Sequence, residues 1–356
     1  MVQSVLRARG RAVTFVLLSS AQFLLLMFFN IYFIKWRGMG LEGVLWSSLL
    51  GWGLPALVYG AVSARGLRWR FDRAVARRLL RFALPLVPYG LIAFLLMISG
   101  RLFLQHFRDA ERVGIFSAAN RIALIFMLVC VTPFQTVWGY LGLDYFRRAD
   151  AREIFSRAFT YLLLTGLWVF LLVSAVGREI ILRFGKAHYL PALPYVDPLM
   201  AGYLMLLFFC WANIAMVGRE MTVRILLISL PPFAVALGGG WLAIPRYGDG
   251  VGAACVVFVA AMAVHAALTA VAGRSLIGFR LEKARVLRVL VAFAVTYGVG
   301  HALMGKLPNW RLVIALSQIV AFPLVLLVFG FLTRGEVERL RDLGRQLIGA
   351  LSRGSD

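Results

Sequence analysis

The chain has 356 residues, of which 61% are apolar and only 15% are charged, and its mean hydropathy is +0.84. Soluble proteins carry about 25% charged residues, so the composition excludes an ordinary water-soluble globular protein. The formal net charge of +22 does not indicate a nucleic-acid partner, because the arginines lie in short segments between apolar blocks and form no aromatic-studded groove.

Ten apolar blocks are long enough to cross a bilayer as helices, which takes about 20 residues. They lack the amphipathic spacing of water-facing helices and therefore predict an all-α membrane protein with about ten transmembrane helices. The first block has the basic start of a signal peptide, but its length and the span directly after it favour a retained helix. The blocks are 12–34, 43–64, 82–104, 113–143, 158–177, 198–218, 225–245, 250–273, 289–305 and 312–333.

Lysine and arginine predict the orientation of these spans, because cytoplasmic loops of membrane proteins are enriched in both. With the N-terminus inside, the inside segments carry 26 of the 38 basic residues and the outside segments carry 10. The sequence therefore predicts a multi-pass protein with both termini in the cytoplasm.

Two basic segments have the composition of helices that lie on an anionic membrane surface. Apolar and aromatic side chains alternate with arginines in residues 67–80, and the same pattern recurs in the tail, residues 334–356. The alternative interpretation is a plain cytoplasmic loop and tail.

Prolines predict bends in several spans, because proline removes a backbone donor and kinks a helix. Broken helices line the cavities of many transporters, although proline is also common in membrane helices generally. These prolines are Pro85 and Pro88 in the third span, Pro133 in the fourth, Pro231 and Pro232 in the seventh and Pro323 in the tenth.

Motifs for nucleotide, zinc or nucleophile chemistry are absent from the sequence, which has no GxxxxGK[ST], HExxH, GxSxG or CxxC. The sequence therefore predicts no catalytic residue, no metal site, no cofactor and no enzymatic activity. Cys130, Cys210 and Cys255 lie inside apolar blocks, which predicts buried thiols. His265 and His301 lie in spans, and we interpret both as hydrogen-bonding contacts between helices.

The acidic residues argue against one class of transporter. All sixteen fall in loops or at span ends. A pump that is driven by protons or expels cations needs a carboxylate inside the membrane. The sequence therefore disfavours a cation or drug antiporter.

Arg101 and Arg121 adjoin long uncharged runs and lie at membrane depth. One interpretation is that both side chains snorkel to the outer interface. The other is a cationic lining for an anionic substrate, because guanidinium matches the geometry of phosphate. A helix that starts near Val113 would place Arg121 about 12 Å along its axis; a helix that starts later would leave Arg121 at the interface.

Polar side chains near these arginines have two interpretations as well. Asn120, Gln135 and Asn213 either bind sugar hydroxyls or join helices. We predict that Arg121, Arg101, Asn120 and Gln135 bind the substrate.

Residues 80–145 carry a resemblance to a known family. The stretch LRFALPLVPYG, the triplet Ser99-Gly100-Arg101 and the run Val113-Gly114-Ile115-Phe116-Ser117-Ala118-Ala119 resemble Wzx-type polysaccharide flippases of the multidrug/oligosaccharidyl-lipid/polysaccharide exporter superfamily. In that family the triplet carries an acidic residue where this chain has Gly100. The segments 132–140, 177–204 and 244–256 resemble later parts of the family in the same order, so the resemblance covers about residues 5–275.

The resemblance implies transport of a lipid-linked oligosaccharide, carried on a polyprenyl pyrophosphate, across the bacterial cytoplasmic (inner) membrane. Such transport serves the synthesis of lipopolysaccharide or exopolysaccharide. Family members have two six-helix lobes around a central, often basic cavity. The implied partners are the lipid-linked oligosaccharide, membrane lipids and other polysaccharide-assembly membrane proteins.

The resemblance also implies a domain division. Residues 5–12 resemble the family's loop after its fourth span, so spans one to four are expected to be missing. The expected parts are a two-span remnant of the first lobe (1–64), a basic linker (65–81), the second six-helix lobe (82–275), two extra spans (276–333) and an amphipathic tail (334–356).

Two other classes of function remain open at this point. One is a non-transporting membrane subunit whose partner supplies the missing helices. The other is a membrane-embedded glycan enzyme, which would need paired carboxylates or a His/Asp constellation in a large outer loop. The longest outer loop, about 178–197, contains Glu179 and His188 without a convincing pair.

Overall fold

The computed structural model of the protein describes residues 12–64, 72–184, 187–307 and 310–331. Ten helical segments among these residues are long and apolar enough to cross a membrane, which confirms the prediction of an all-α, multi-span membrane protein. The helices, in chain order, are α1 (Ala12–Asn30), α2 (Gly40–Ala64), α3 (Arg73–Ala83), α4 (Leu86–Phe107), α5 (Ala110–Phe126), α6 (Thr132–Phe146), α7 (Ala151–Phe184), α8 (Leu193–Gly218), α9 (Thr222–Ala243), α10 (Val251–Ile277), α11 (Lys283–Lys306) and α12 (Arg311–Val328).

The chain divides into two compact units, residues up to Arg77 and residues from Arg78 onward. In the first unit α1 extends as a π-helix over Ile31–Trp36, and α2 packs back against it. Gly51 allows the close approach, because a Cβ there would lie 2.6 Å from Cδ1 of Leu26. The finer domain boundaries expected from the resemblance stay predictions.

The third span is broken where Pro85 predicts a bend. Helix α3 ends at Ala83, the chain turns at Leu84 and Pro85, and α4 begins at Leu86. Pro88 lies in the first turn of α4, where backbone N–H groups have no partner within the helix in any case. The break separates the arginine-rich α3, which carries the described part of the predicted surface segment, from the apolar α4. Residues 67–71 and the predicted amphipathic tail lie outside the described residues.

The fourth span consists of α5 and α6 joined by a π-helix, Met127–Val131. This wider turn immediately precedes Pro133, whose missing N–H disturbs the normal ladder. By contrast, α9 continues through Pro231 and Pro232, and α12 continues through Pro323.

Helix α8 lies at the centre of the second unit and packs against α5, α6, α7 and α10. Its Tyr203 and Trp211 are each 1% exposed, and Trp138 of α6 donates a hydrogen bond from Nε1 to the carbonyl oxygen of Trp211 at 3.1 Å. Gly202 lies against the ring of Phe258 of α10. We call this packing the α8 core. Cys130, Cys210 and Cys255 are buried and unbonded to one another, as predicted.

The prediction that His265 forms a hydrogen bond between helices is wrong. Its ring packs against Phe209 with 4.0 Å between ring centroids, and its Nε2 has no hydrogen-bond partner among the described residues. His301 likewise packs against Tyr297, with centroids 4.5 Å apart. Both histidines therefore make stacking contacts between or within helices where the sequence predicts hydrogen bonds.

Acidic residues near the helix ends hold neighbouring helices together. Asp197, the fifth residue of α8, accepts a hydrogen bond from Tyr297 of α11 at 2.5 Å. Glu282, which precedes α11, accepts one from Thr160 of α7 at 2.7 Å. These contacts give the carboxylates structural partners.

Candidate anion-binding site

Helix α5 places Arg121 farther from the helix start than the sequence predicts. Asp109 caps the helix, because its Oδ1 accepts a hydrogen bond from the backbone N–H of Arg112 at 2.9 Å, and α5 begins at Ala110. Arg121 is therefore eleven residues beyond the helix start, about 16 Å along the axis at 1.5 Å per residue. The expected start at Val113 and the later start that would leave Arg121 at the helix end are both wrong.

The guanidinium of Arg121 lies on an exposed face of the second unit. Within the described part of the chain, no carboxylate lies within ion-pair distance of it. A cation at the centre of a membrane-spanning helix costs about 2.5–3.5 kcal/mol on insertion scales. Snorkelling to the interface, water or a bound anion would offset that cost.

Asn120 fixes the orientation of α5 about its helix axis. Its Oδ1 accepts a hydrogen bond from the buried hydroxyl of Tyr203 on α8 at 2.8 Å. Ile122, Ala123 and Phe126 are buried on the packed side of α5. The hydrogen bond therefore fixes the helix so that Arg121 faces away from the packed side. This contact is the helix-joining role that the sequence left open for Asn120.

Arg101 lies on α4 beside a pocket of about 300 Å³. Its side chain is exposed and, within the described residues, has no carboxylate at ion-pair distance. The preceding Gly100 packs closely on α5, because a Cβ there would lie 3.0 Å from Cζ of Phe116. The pocket is lined by Arg101, Gln105, Arg108, Asp109, Ala110 and Val113.

Gln135 and Asn213 lie away from these arginines. Gln135 is exposed on α6, fourteen residues beyond Arg121, which corresponds to roughly 20 Å along a helix. Asn213 lies on α8, and its Oδ1 is buried without a partner among the described residues. The structure therefore places Asn120 and Arg121 side by side and separates Gln135 from them; substrate binding by these residues stays a prediction.

Gln105 and Arg108 are pocket residues that the sequence reasoning missed. Gln105 follows Arg101 by four residues, the spacing that puts side chains on one face of a helix, and Arg108 is the first residue after α4 ends. Arg108 donates from Nε and Nη2 to the carbonyl oxygen of Ile244 at 3.2 and 2.8 Å, and from Nη2 to that of Gly248 at 3.1 Å. The helical spacing was available in the sequence; the carbonyl partners more than 130 residues away were not.

Metal ligands do not cluster in the described ranges, where no group of three or more His, Cys, Asp or Glu side chains could hold an ion. The predictions that the protein uses no cofactor and is not an enzyme stay predictions.

Comparison with known proteins gives one match. Residues 10–139 match the model of a family described as "Polysaccharide biosynthesis protein". No curated protein and no solved structure matches the chain. The matched range runs from α1 into α6 and contains Arg101, Asn120, Arg121 and Gln135, whereas the resembling segments 177–204 and 244–256 lie beyond it. The chain is thus a multi-span membrane protein that is similar, over residues 10–139, to proteins of polysaccharide biosynthesis.

Proposed function

We propose that this protein moves a lipid-linked oligosaccharide, borne on a polyprenyl diphosphate, from the inner to the outer leaflet of the bacterial cytoplasmic membrane. The observation that carries the proposal is Arg121. It is a cation about 16 Å from the start of α5, it has no carboxylate partner among the described residues, and it lies within the range that matches the polysaccharide biosynthesis family.

The chemistry of the substrate suits this arginine. A diphosphate brings the negative charge that offsets the insertion cost of the cation, and a guanidinium binds phosphate oxygens through two parallel N–H bonds. Gly114, Ser117 and Ala118 precede Arg121 on the half-buried part of α5. Small side chains at these positions leave room for a head group to approach the helix.

Contacts between loops support the alternating arrangement on which the proposed orientation depends. Arg78 pairs with Glu220, and both are predicted on the cytoplasmic side. Arg108 binds the carbonyl of Gly248, and both are predicted on the outer side. Labelling with an impermeant thiol reagent in intact cells tests the orientation. A cysteine near Lys306 is expected to react and one near Arg148 to be shielded, and the reverse pattern would exclude it.

Complementation tests the role of Arg121, in cells whose glycan export depends on this protein. Arg121→Lys keeps the positive charge but loses the two parallel N–H donors of the guanidinium, so export is expected to fall partly. Arg121→Gln and Arg121→Ala are expected to abolish most export at unchanged protein abundance. Arg246→Gln is the matched control, because Arg246 is exposed just after α9 and its side chain donates a hydrogen bond to the carbonyl oxygen of Leu242 near the helix end. Normal export by Arg121→Ala would make this arginine an interfacial anchor and refute its role in substrate binding.

Reconstitution separates transport by this chain from the alternative of a subunit that needs a partner. The purified protein in liposomes is expected to move a fluorescent polyprenyl-diphosphate glycolipid between leaflets, and Arg121→Ala is expected not to. A parent protein that is inactive alone but active with a second membrane protein from the same cells would favour the subunit.

A further inference from the structure

The pocket of about 300 Å³ between the end of α4 and the start of α5 has a role that the Arg121 site does not cover. We propose that it binds a diphosphate group at the membrane boundary and is a second binding site next to Arg121. This inference rests on the proposed function, because it takes the same head group as its ligand.

The charge balance of the pocket favours an anion. Arg108 is bound by two backbone carbonyls, which are neutral and leave its positive charge uncancelled. Arg101 has no carboxylate partner within the described residues. Asp109 also lines the pocket, but Arg112 engages its carboxylate through the backbone N–H at 2.9 Å and through Nη1 at 3.5 Å. The pocket therefore keeps an excess of positive charge.

The guanidinium of Arg108 is held in place before any ligand arrives. Its bonds to the carbonyls of Ile244 and Gly248 use Nε and Nη2, which leaves Nη1 as a donor. Gly250 makes this arrangement possible, because its φ is +82° and a Cβ there would lie 3.0 Å from Nε of Arg108. A fixed donor loses little conformational freedom on binding.

The spacing and size of the pocket suit a diphosphate. Arg101 lies about 9 Å along α4 from its end at Phe107, and Arg108 follows directly after that end. The neutral amide of Gln105 lies one turn beyond Arg101 on the same face of the helix. Two separated guanidinium groups can each bind one phosphate. A volume of about 300 Å³ is at the lower limit of ligand pockets, so it fits a head group and excludes a whole oligosaccharide.

The pocket and the Arg121 site lie at different distances from the turn that joins α4 and α5. Arg101 is six residues from the end of α4 at Phe107, about 9 Å, whereas Arg121 is about 16 Å from the start of α5. The contact between Gly100 and Phe116 shows that the two helices run back to back from this turn. A head group leaving Arg121 toward the turn would next meet the pocket.

Binding measurements on the full chain in phosphatidylcholine nanodiscs test the proposal. All variants carry Arg121→Gln, which removes the Arg121 site. Inorganic pyrophosphate and a polyprenyl diphosphate are the two probes. Adding Arg101→Gln is expected to weaken the binding of both by about tenfold or more, and adding Arg246→Gln is expected to change neither. Arg101 is exposed, so its replacement leaves the fold intact, and Arg101→Lys is expected to restore part of the affinity.

The outcomes decide between sources of the ligand and between the two proposals. If only pyrophosphate binds, the ligand of the pocket is a free anion. If only the polyprenyl diphosphate binds, the pocket recognises the diphosphate as part of the lipid. Equal affinity with and without Arg101→Gln, or no binding of either probe, overturns the pocket. Loss of export in Arg121→Gln together with unaffected export in Arg101→Gln would sustain the Arg121 site and reject the pocket. The opposite pair of results would sustain the pocket and reject the Arg121 site, while reconstitution in liposomes tests the transport function itself.

Discussion

The α8 core and the hairpin of α4 and α5 differ in which polar groups they leave without partners. In the core the unpartnered atoms, among the described residues, belong to neutral groups such as Asn213, His265 and Thr269. On the hairpin, within the same residues, Arg101 and Arg121 are exposed cations with no carboxylate at ion-pair distance. A missing hydrogen bond between membrane helices costs about 0.6 kcal/mol, whereas a charge in mid-membrane costs about 2.5–3.5 kcal/mol. A missing partner is therefore a functional signal on the hairpin and a weak one in the core.

The largest effect is expected where the core has no spare volume. Gly202→Leu would push a side chain into the ring of Phe258, and overpacking at such a contact costs about 3 kcal/mol. Thermal unfolding in detergent should show a large loss of stability. Gly238→Leu is the matched control, since nothing lies within 4 Å of a Cβ at Gly238. Similar losses for the two variants would mean that the core is not closely packed there.

The second effect is expected when Arg121 on the hairpin is given a carboxylate partner. Ser117→Glu places a carboxylate one helical turn before Arg121, the favourable order for an acid and a base at this spacing. The pair would neutralise the guanidinium, so glycan export is expected to fall about tenfold or more at unchanged abundance. Ser117→Gln, which has the same size without the charge, measures the effect of lost room alone and should export clearly more than Ser117→Glu. Export by Ser117→Glu at the parental rate would show that the free charge is not needed.

A smaller effect separates positioning from stability. Tyr203→Phe removes the hydrogen bond to Asn120 and is expected to cost about 0.6 kcal/mol of stability. Because that bond also fixes the rotation of α5, export should fall more than stability alone explains. Trp168→Phe removes a comparable bond to the carbonyl of Ile319 and should leave export unchanged. Parallel behaviour of the two variants would reduce Asn120 to a structural contact.

The smallest effect concerns the exposed pair of Arg78 and Glu220, 2.7 Å apart. The hydrogen bond and charge of Arg78 lower the pKa of the Glu220 carboxyl. A lowered folded-state pKa means that the contribution of the pair is present above the ordinary pKa of glutamate and is lost as the pH falls through the lowered value. A spin label at the exposed Leu80 on α3 should become more mobile in acid. In Glu220→Gln the label should be mobile at every pH; a pH response that persists there would come from another group.

The sequence predicted the ten spans well, because each is a long apolar block that a bilayer requires to be helical. It also singled out Arg101 and Arg121, because a charge beside such a block is conspicuous. It misplaced the start of α5 because the cap at Asp109 lies outside the apolar run. The partners of Asn120 and Arg108 depend on contacts between residues 83 to 140 positions apart, which no local pattern encodes.

The packing at Gly100 limits which residues can stand next to Arg101, and so affects the charge beside the pocket. The resembling flippases carry an acid at this position, and here a Cβ would lie 3.0 Å from the ring of the buried Phe116, which would have to shift by a few tenths of an ångström. Restoring the acid next to Arg101 would therefore also move a ring packed between the two helices. The close fit of the helices thus opposes the neutral pair and favours the positive charge beside the pocket.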